Sequence, residues 1–465
     1  MKVEFLLPLC APALIALAAW GAEGQTSPQA SPASLQADFQ AAMAAEDAGN
    51  LARAEAILTN LHKKHPGIFE VDESLGLLYA GQEKFSDALP LLSAAAKERP
   101  GSDVAHANLG AVLSHLSRDS KALKELARAV QLNPKSAALQ QKLGELLLEA
   151  HQPERAAQAF TAALELAPGD RDLTLAQARA LCDAGHIDRA RAAVLSLNGA
   201  ADSAAAQALL GEIEEKAGNF KQALDARLRA SYLDPTEENV WQASAEFLHH
   251  WTFEAAVRAF DAAVAKYPQS VRLRLGLGAA YFGNAQYAQA APVFAGLLKA
   301  EPGNAAYADL LGIACTALLQ DEKPGCDVLI AYALAHPGDA KAATNAAISL
   351  LGGEATDEQK QLARTLLEKA AKADPRLAEA QFRIGLLKQT SADWAGSIPP
   401  LEAAIKAKPD YAQAHYRLAL AYWRTGRKQE GQAEMELQKK LSHEQADELD
   451  KRLRQITIFH VQLPE

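Results

Sequence analysis

Prolines recur along this chain at a nearly constant spacing of about 34 residues, which we call the repeat interval. They occupy positions 66, 100, 134 and 168, and then 235, 268, 302, 337, 375 and 409. One is missing near Asp202, and the interval from 337 to 375 contains about four extra residues. A proline ends a helix because it lacks a backbone N–H and its ring clashes with the preceding turn. The spacing therefore predicts a chain of about twelve similar units.

Each unit has the pattern of two short helices. In one of them, Leu109 and Leu113 recur at helical spacing, and Leu126 and Ala129 do so after a polar turn. A single helix pair cannot bury its apolar face alone, so neighbouring pairs must stack and share a core. We therefore expect an all-α fold. The four extra residues are predicted within the segment GGEATDEQK that starts at Gly352.

These units resemble the tetratricopeptide repeat (TPR), over about residues 35–443. The first-helix signature of that family is Leu-Gly, which occurs at Leu75-Gly76, Leu109-Gly110, Leu143-Gly144, Leu210-Gly211, Leu277-Gly278 and Leu311-Gly312. The second-helix alanine occurs at Ala88, Ala122, Ala156, Ala190, Ala223, Ala256 and Ala290. Departures occur at Ala41-Ala42, Gln177-Ala178 and Pro324-Gly325. The resemblance implies a right-handed superhelical solenoid of helix-turn-helix repeats.

The two ends of the chain differ from the repeats. Residues 1–24 contain Lys2, an apolar run and then small residues, which is the order of a secretory signal peptide. We expect cleavage before Gln25 and an exported, periplasmic or secreted protein; an uncleaved membrane anchor is the alternative. Residues 25–34 read as a flexible linker. Residues 444–465 are predicted to form a capping helix, with Ser442 as its N-cap, and a tail.

No motif in the sequence indicates catalysis or a cofactor. The glycines of GLGAAYFG, from Gly276, lie within a predicted helix and not after a strand, so they are read as packing residues. His249-His250 lacks further ligands at metal-binding spacing. The formal charge of −10, from 47 Lys and Arg against 57 Asp and Glu, argues against nucleic acid as the main partner. We therefore predict a protein that is not an enzyme and has no cofactor or metal.

Three cysteines remain after the predicted signal peptide. Cys315 and Cys326 flank the turn between two helices, where a disulfide is sterically feasible and an exported protein would allow it. The alternative is a pair of buried, reduced cysteines. Cys182 would be left over as a free thiol.

In the TPR family, the first helices line a concave groove, at their second, fifth, ninth and twelfth places. In this chain those places hold acids early and aromatic rings later. The acids are Glu73, Glu145, Glu212, Glu215 and Glu238. The groove residues that we predict to bind a partner are Trp241, Phe382, Arg383, Tyr416, Arg417 and Trp423. Alternatively, several of these rings belong to the core between repeats, and the acids are ordinary solvated residues.

The function that this pattern favours is a scaffold that binds a protein or an extended peptide in its groove. The Lys/Asn/Arg set with which some TPR proteins clamp a carboxyl terminus is lacking, because Phe382, Tyr416, Leu386 and Leu420 occupy the Lys and Asn places. The alternative function is a structural spacer or assembly component of a cell-envelope complex, for outer-membrane assembly or polysaccharide export. No direct membrane insertion is expected after signal removal.

Overall fold

The computed structural model describes residues 32–318 and 323–455. Across these residues it has 24 α-helices and one short 3-10 helix, with no strand. The chain divides into two compact units, Met1–Ala223 and Leu224–Glu465. The predicted signal peptide (1–24), residues 25–31 of the predicted linker and the tail 456–465 lie outside the described residues.

The helices of the first unit follow one another in antiparallel pairs. They are α1 (Pro32–Asp47), α2 (Leu51–Lys64), α3 (Phe69–Gly81), α4 (Phe85–Glu98), α5 (Asp103–His115), α6 (Asp119–Leu132), α7 (Ala137–Glu149), α8 (Pro153–Leu166), α9 (Arg171–Asp183), α10 (Ile187–Leu195) and α11 (Ala204–Lys216). A 3-10 helix, Ala200–Asp202, lies where the repeating proline is missing near Asp202. The boundary between the two units falls within α12 (Phe220–Leu233).

The second unit continues the same alternation of first and second helices. Its helices are α13 (Glu237–His249), α14 (Phe253–Lys266), α15 (Val271–Gly283), α16 (Tyr287–Ala300), α17 (Ala305–Ala317), α18 (Cys326–Ala335), α19 (Ala340–Leu351), α20 (Asp357–Ala373), α21 (Ala378–Thr390), α22 (Trp394–Ala407), α23 (Ala412–Arg424) and α24 (Lys428–Gln455). The prediction of an all-α helical repeat solenoid is confirmed.

Small residues let the two helices of a pair approach closely. A Cβ on Gly110 in α5 would lie only 2.9 Å from Cγ of Leu126 in α6. A Cβ on Gly278 in α15 would lie 2.4 Å from Cε1 of Phe294 in α16. Any larger residue would force the helices apart or displace the apolar side chain. The recurring glycine of the first helix is therefore a packing requirement of the pair.

Side-chain caps mark where many first helices begin. The hydroxyl of Ser136 accepts a hydrogen bond from the N–H of Leu139, and a carboxylate oxygen of Asp170 accepts one from the N–H of Leu173. Such caps satisfy N–H groups that have no partner inside the helix. The caps thus fix the starts of these first helices, and the repeating prolines follow the ends of second helices.

The four extra residues lie where the sequence analysis predicts them. Five residues, 352–356, separate α19 from α20, and α20 has 17 residues where α22 has 14. Thr356 and Gln359 form a reciprocal capping box at its start. The insertion thus lengthens one turn and one second helix without interrupting the stacking of the pairs.

The predicted extent of the repeat region, about residues 35–443, stays a prediction. Helix α1 is described from Pro32, where the described residues begin. At the other end, Ser442 does not begin a new helix, because α24 runs through it without a break. No proline or glycine lies near Ser442 to end that helix. The predicted capping helix is therefore the continuation of α24, the second helix of the last described pair.

Candidate functional site

Trp241 lies at the surface of the second unit but is anchored to its core. The indole ring packs edge-on against Phe260, with ring centroids 5.6 Å apart. The guanidinium carbon of Arg272 lies 5.8 Å from the centroid of the indole ring. Arg272 in turn contacts Glu237 at 2.8 Å and Glu238 at 2.5 Å. Trp241 is thus partly buried and held by a charged network.

Phe382 does not line a groove. Its side chain is buried, with 4% exposure, and belongs to the core between α21, α22 and α23. The ring of Tyr411 lies 4.8 Å from it, centroid to centroid. The following helix pair covers Phe382, and the expectation that this ring meets a partner is replaced by the alternative of a ring in the core.

Arg383 forms an ion pair with Glu379, one turn earlier on the same helix. Its Nε donates to Glu379 at 2.6 Å, and the hydroxyl of Tyr411 also donates to that carboxylate. Burial and the adjacent Glu379 raise the pKa of Tyr411, so the phenol stays protonated and remains a donor. These contacts tie the start of α23 to α21 and hold the guanidinium of Arg383 beside Glu379.

Tyr416 and Trp423 on α23 are accessible. They are 41% and 38% exposed, and the guanidinium carbon of Arg417 lies 5.9 Å from the Tyr416 ring centroid. The two rings are seven residues apart, which places them on one side of the helix two turns from each other. Of the residues predicted from the sequence, only this group of three is gathered on an accessible surface.

A surface cavity of about 180 Å³ lies across the first helices α17, α19 and α21. Its lining residues are Asp309, Ile313, Lys341, Thr344, Asn345, Leu377 and Glu379. Ile313 is 49% exposed, which is unusual for a large apolar side chain in this chain. Asp309 and Lys341 form an ion pair across the helices at 3.9 Å. The cavity thus combines an accessible apolar floor with charged sides.

Asn345 contributes the neutral polar group of this cavity. It lies close to Gly312, where a Cβ would come within 2.4 Å of its Nδ2 atom. Among the described residues its amide has no hydrogen-bond partner, so both a donor and an acceptor are available. Sequence reasoning passed over Asp309 and Ile313, although they hold the fifth and ninth places of α17, because the selection favoured aromatic rings.

Three of the predicted groove acids, Glu73, Glu145 and Glu212, have hydrogen-bond or ion-pair partners within the first unit. Glu145 accepts from Lys142 at 3.2 Å and from Gln141 at 2.9 Å, and Glu212 contacts Lys216 at 3.2 Å. Burial raises the pKa of Glu73, and a hydrogen bond from Asn108 at 3.4 Å offsets this only in part. These acids therefore form local contacts rather than a free anionic surface.

A disulfide joins the end of α17 to the start of α18. Cys315 and Cys326 are bonded in the structure, with their Cα atoms 5.8 Å apart. Cys182 is a buried free cysteine of the first unit, and burial raises the pKa of its thiol. A thiol that stays protonated is a poor nucleophile, which agrees with a packing role for Cys182.

No helix in the described part of the chain combines the length and apolarity needed to cross a membrane. Two family models, both described as tetratricopeptide repeat, match the chain. One matches residues 79–146, 147–213 and 252–313, and the other matches residues 39–103 and 382–433. Together these spans cover more than half of the sequence. A search of curated proteins found no significant match.

Solved structures with a similar helical fold include a tetratricopeptide repeat protein from Parabacteroides merdae. It is 18% identical, with 53% of this chain and 99% of that chain covered and a TM-score of 0.42. PilF of Pseudomonas aeruginosa is 19% identical, with 46% and 98% covered and a TM-score of 0.37. A structure of Naa15/Naa10 bound to HypK-THB is 15% identical, with 87% and 68% covered and a TM-score of 0.36.

Proposed function

The chain belongs to the tetratricopeptide repeat family, and on that premise we propose that it is a non-enzymatic scaffold that binds another protein. Helical repeats present long surfaces built from many short elements, which suits protein recognition. The finer proposal is that the partner contributes an extended segment, held by the first helices of the second unit.

The observation that carries this proposal is the cavity across α17, α19 and α21. The amide of Asn345 matches an extended backbone, because it can donate to a peptide carbonyl and accept from a peptide N–H at once. Exposed Ile313 offers apolar contact beside it. The pair of Asp309 and Lys341 places one charge of each sign at the edge, which favours selection of register over raw affinity.

Export is the second part of the proposal. It rests on the order of charged, apolar and small residues in 1–24. A disulfide between Cys315 and Cys326 agrees with an oxidising compartment. The scaffold would then meet its partner in the periplasm or outside the cell.

Site-specific photo-crosslinking tests the binding surface. A benzoylphenylalanine placed at Ile313 should form adducts with one partner in the native host, and the crosslinked residues should map to a short continuous segment. The matched control is the same substitution at Leu334, which is 45% exposed but lies on the second helix α18.

Equal adducts at Ile313 and Leu334, or none at Ile313, would reject the cavity as the binding surface. A stable stoichiometric complex recovered from an envelope fraction, with no adduct at Ile313, would favour the structural spacer instead.

A further inference from the structure

Among the described residues, nothing covers the side of α23 that corresponds to the buried side of α21, the first helix of the preceding pair. On α21, Phe382 is 4% exposed and Gln389 is 6% exposed. Helix α23 and its N-cap residue Tyr411 cover both of them. Tyr411 contacts the ring of Phe382, and the Gln389 amide donates to the Arg417 carbonyl at 2.9 Å. Tyr416 and Trp423 stand one repeat interval after these two, with no helix pair to follow among the described residues. We call Tyr416 and Trp423 the C-terminal face.

Two positions of α24, the second helix of the same pair, hold polar side chains where α22 holds apolar ones, whereas α23 holds aromatic rings. Exposed Gln432 and Lys439 of α24 stand one repeat interval after Ile398 and Ile405, which belong to the core around α22. A solenoid end that meets only water carries a polar cover on both helices. At this end, α23 exposes the rings of Tyr416 and Trp423, and α24 exposes Leu437.

The first described helix, α1, exposes the complementary side. On α23, the side that packs against the preceding pair consists of Ala414, Leu418 and Ala421, all buried. The matching set on α3 is Val71, Leu75 and Leu78, also buried. One repeat interval earlier the same places hold Ala37, Ala41 and Ala44, all three of them exposed. We call these three alanines the N-terminal face.

The two faces are equivalent to the two sides of the contact between α21 and α23. In that contact, the ring of Phe382 lies in one cluster with the small or aliphatic side chains of Ala414, Leu418 and Ala421. The C-terminal face supplies the large side chains of this contact. The N-terminal face supplies the small ones, and its three alanines are four and three residues apart, like Ala414, Leu418 and Ala421. A second copy of this chain therefore carries the surface that each free end lacks.

We propose that the C-terminal face of one copy docks on the N-terminal face of another, so that the chain self-associates head to tail. Such a contact uses two different surfaces and does not close on itself as a two-fold dimer does, so it allows chains longer than two. This inference does not depend on the cavity across α17, α19 and α21, and goes beyond the proposed binding function.

Sedimentation velocity of the purified full chain over a range of concentrations tests the proposal. The parent should show concentration-dependent species larger than a monomer. Trp423→Glu and Ala41→Glu should each weaken association by at least about tenfold, because each would bury an unpaired charge in the contact. The matched controls Tyr232→Glu, at 85% exposure, and Ala52→Glu, on the exposed side of α2, should associate like the parent.

Mixing the two end variants separates head-to-tail docking from every other arrangement. Trp423→Glu retains an intact N-terminal face, and Ala41→Glu retains an intact C-terminal face. The equimolar mixture should therefore form a dimer that neither variant forms alone, and should form nothing larger. Ala41, Ala52 and Tyr232 are exposed, so their variants should keep the circular dichroism and melting temperature of the parent. Trp423 also packs against Gly431 of α24, so Trp423→Glu should keep the helical circular dichroism of the parent but melt at a somewhat lower temperature.

Three outcomes would overturn the proposal. The first is a parent that remains monomeric at all concentrations. The second is association that Trp423→Glu abolishes and Ala41→Glu does not, which would assign the C-terminal face to a two-fold contact. The third is a mixture of the two variants that stays monomeric while the parent associates.

Discussion

The ring of Phe160 lies directly against the backbone of Gly144. A Cβ on Gly144 would lie 2.8 Å from the Cζ atom of that ring, closer than packed side-chain atoms approach. Phe160 is fully buried, so its ring has no free space into which to move. The same relationship, at the same spacing along the chain, joins Gly76 to Leu92, Gly110 to Leu126, Gly278 to Phe294 and Gly385 to Leu401.

Gly144→Leu should destabilise the first unit locally. The added side chain would overfill the contact between α7 and α8, at a cost of roughly 1–3 kcal/mol or more in free energy of unfolding. Hydrogen exchange should rise around residues 137–202 and much less around 380–443, since each pair contacts only its neighbours. Gly296→Leu is the matched control, because a Cβ on Gly296 meets no atom within 4 Å. A uniform loss of protection along the chain would contradict local propagation.

Glu214→Gln should destabilise the protein near neutral pH by roughly 1.5–3 kcal/mol, because it removes charge-assisted hydrogen bonds and leaves the partly buried Arg191 with only the exposed Asp188 as counter-charge. Arg191 donates to both carboxylate oxygens of Glu214, at 2.5 and 3.1 Å. These hydrogen bonds, opposed by burial and aided by Asn219, lower the pKa of Glu214. Asp188→Asn is the control, since Asp188 also contacts Arg191 but is 97% exposed. That change should cost less than about 1 kcal/mol.

The pH dependence of the same pair has a defined sign. Because the pKa of Glu214 is lower in the folded chain than in the unfolded chain, the folded state binds fewer protons between those two values. The stabilisation is complete above the unfolded-state pKa, near 4.5, and is lost as the pH falls through the folded-state pKa. Urea midpoints of parent and Glu214→Gln should converge on acidification. A constant difference between them down to the lowest pH would disprove this linkage.

Cys315 and Cys326 should be recovered as one disulfide-linked peptide in non-reducing mapping of the oxidised protein. The enclosed loop is short, so replacing both cysteines by serine should lower the free energy of unfolding by at most ~3 kcal/mol. Cys182 should resist alkylation until the chain unfolds, because its thiol is buried. Free thiols at Cys315 and Cys326 after oxidising purification would end this prediction.

Export should leave Gln25, or a residue close to it, as the first residue of the protein from its native host. The order of residue types in 1–24 matches that of a signal peptide, and small residues precede Gln25. Intact-mass analysis measures this directly. Material that retains Met1 in the cytoplasm would refute export, and material that retains it in a membrane fraction would indicate the uncleaved anchor.

The helix pairing could be predicted from sequence because its determinants are local. Prolines, Leu-Gly pairs and alanines report the spacing of contacts within one pair and with the next. Burial at the surface could not be predicted in the same way. Phe382 and Tyr416 hold the same place in consecutive first helices, yet one is 4% and the other 41% exposed. The difference is that a further helix pair follows α21 and α22, whereas none follows α23 and α24 among the described residues. The repeat spacing alone does not indicate which pair is the last.

The glycine of a first helix and the side chain that it contacts on the paired second helix belong to the same helix pair. A tandem duplication or loss of one whole repeat interval would therefore keep both partners of this contact together. A change of length that is not a whole repeat interval would separate the glycine from its partner or shift the register of all later helices. A change in the number of repeats thus preserves the packing inside each helix pair, whereas contacts between pairs, such as Gly276 against Phe260, depend on which pairs are neighbours.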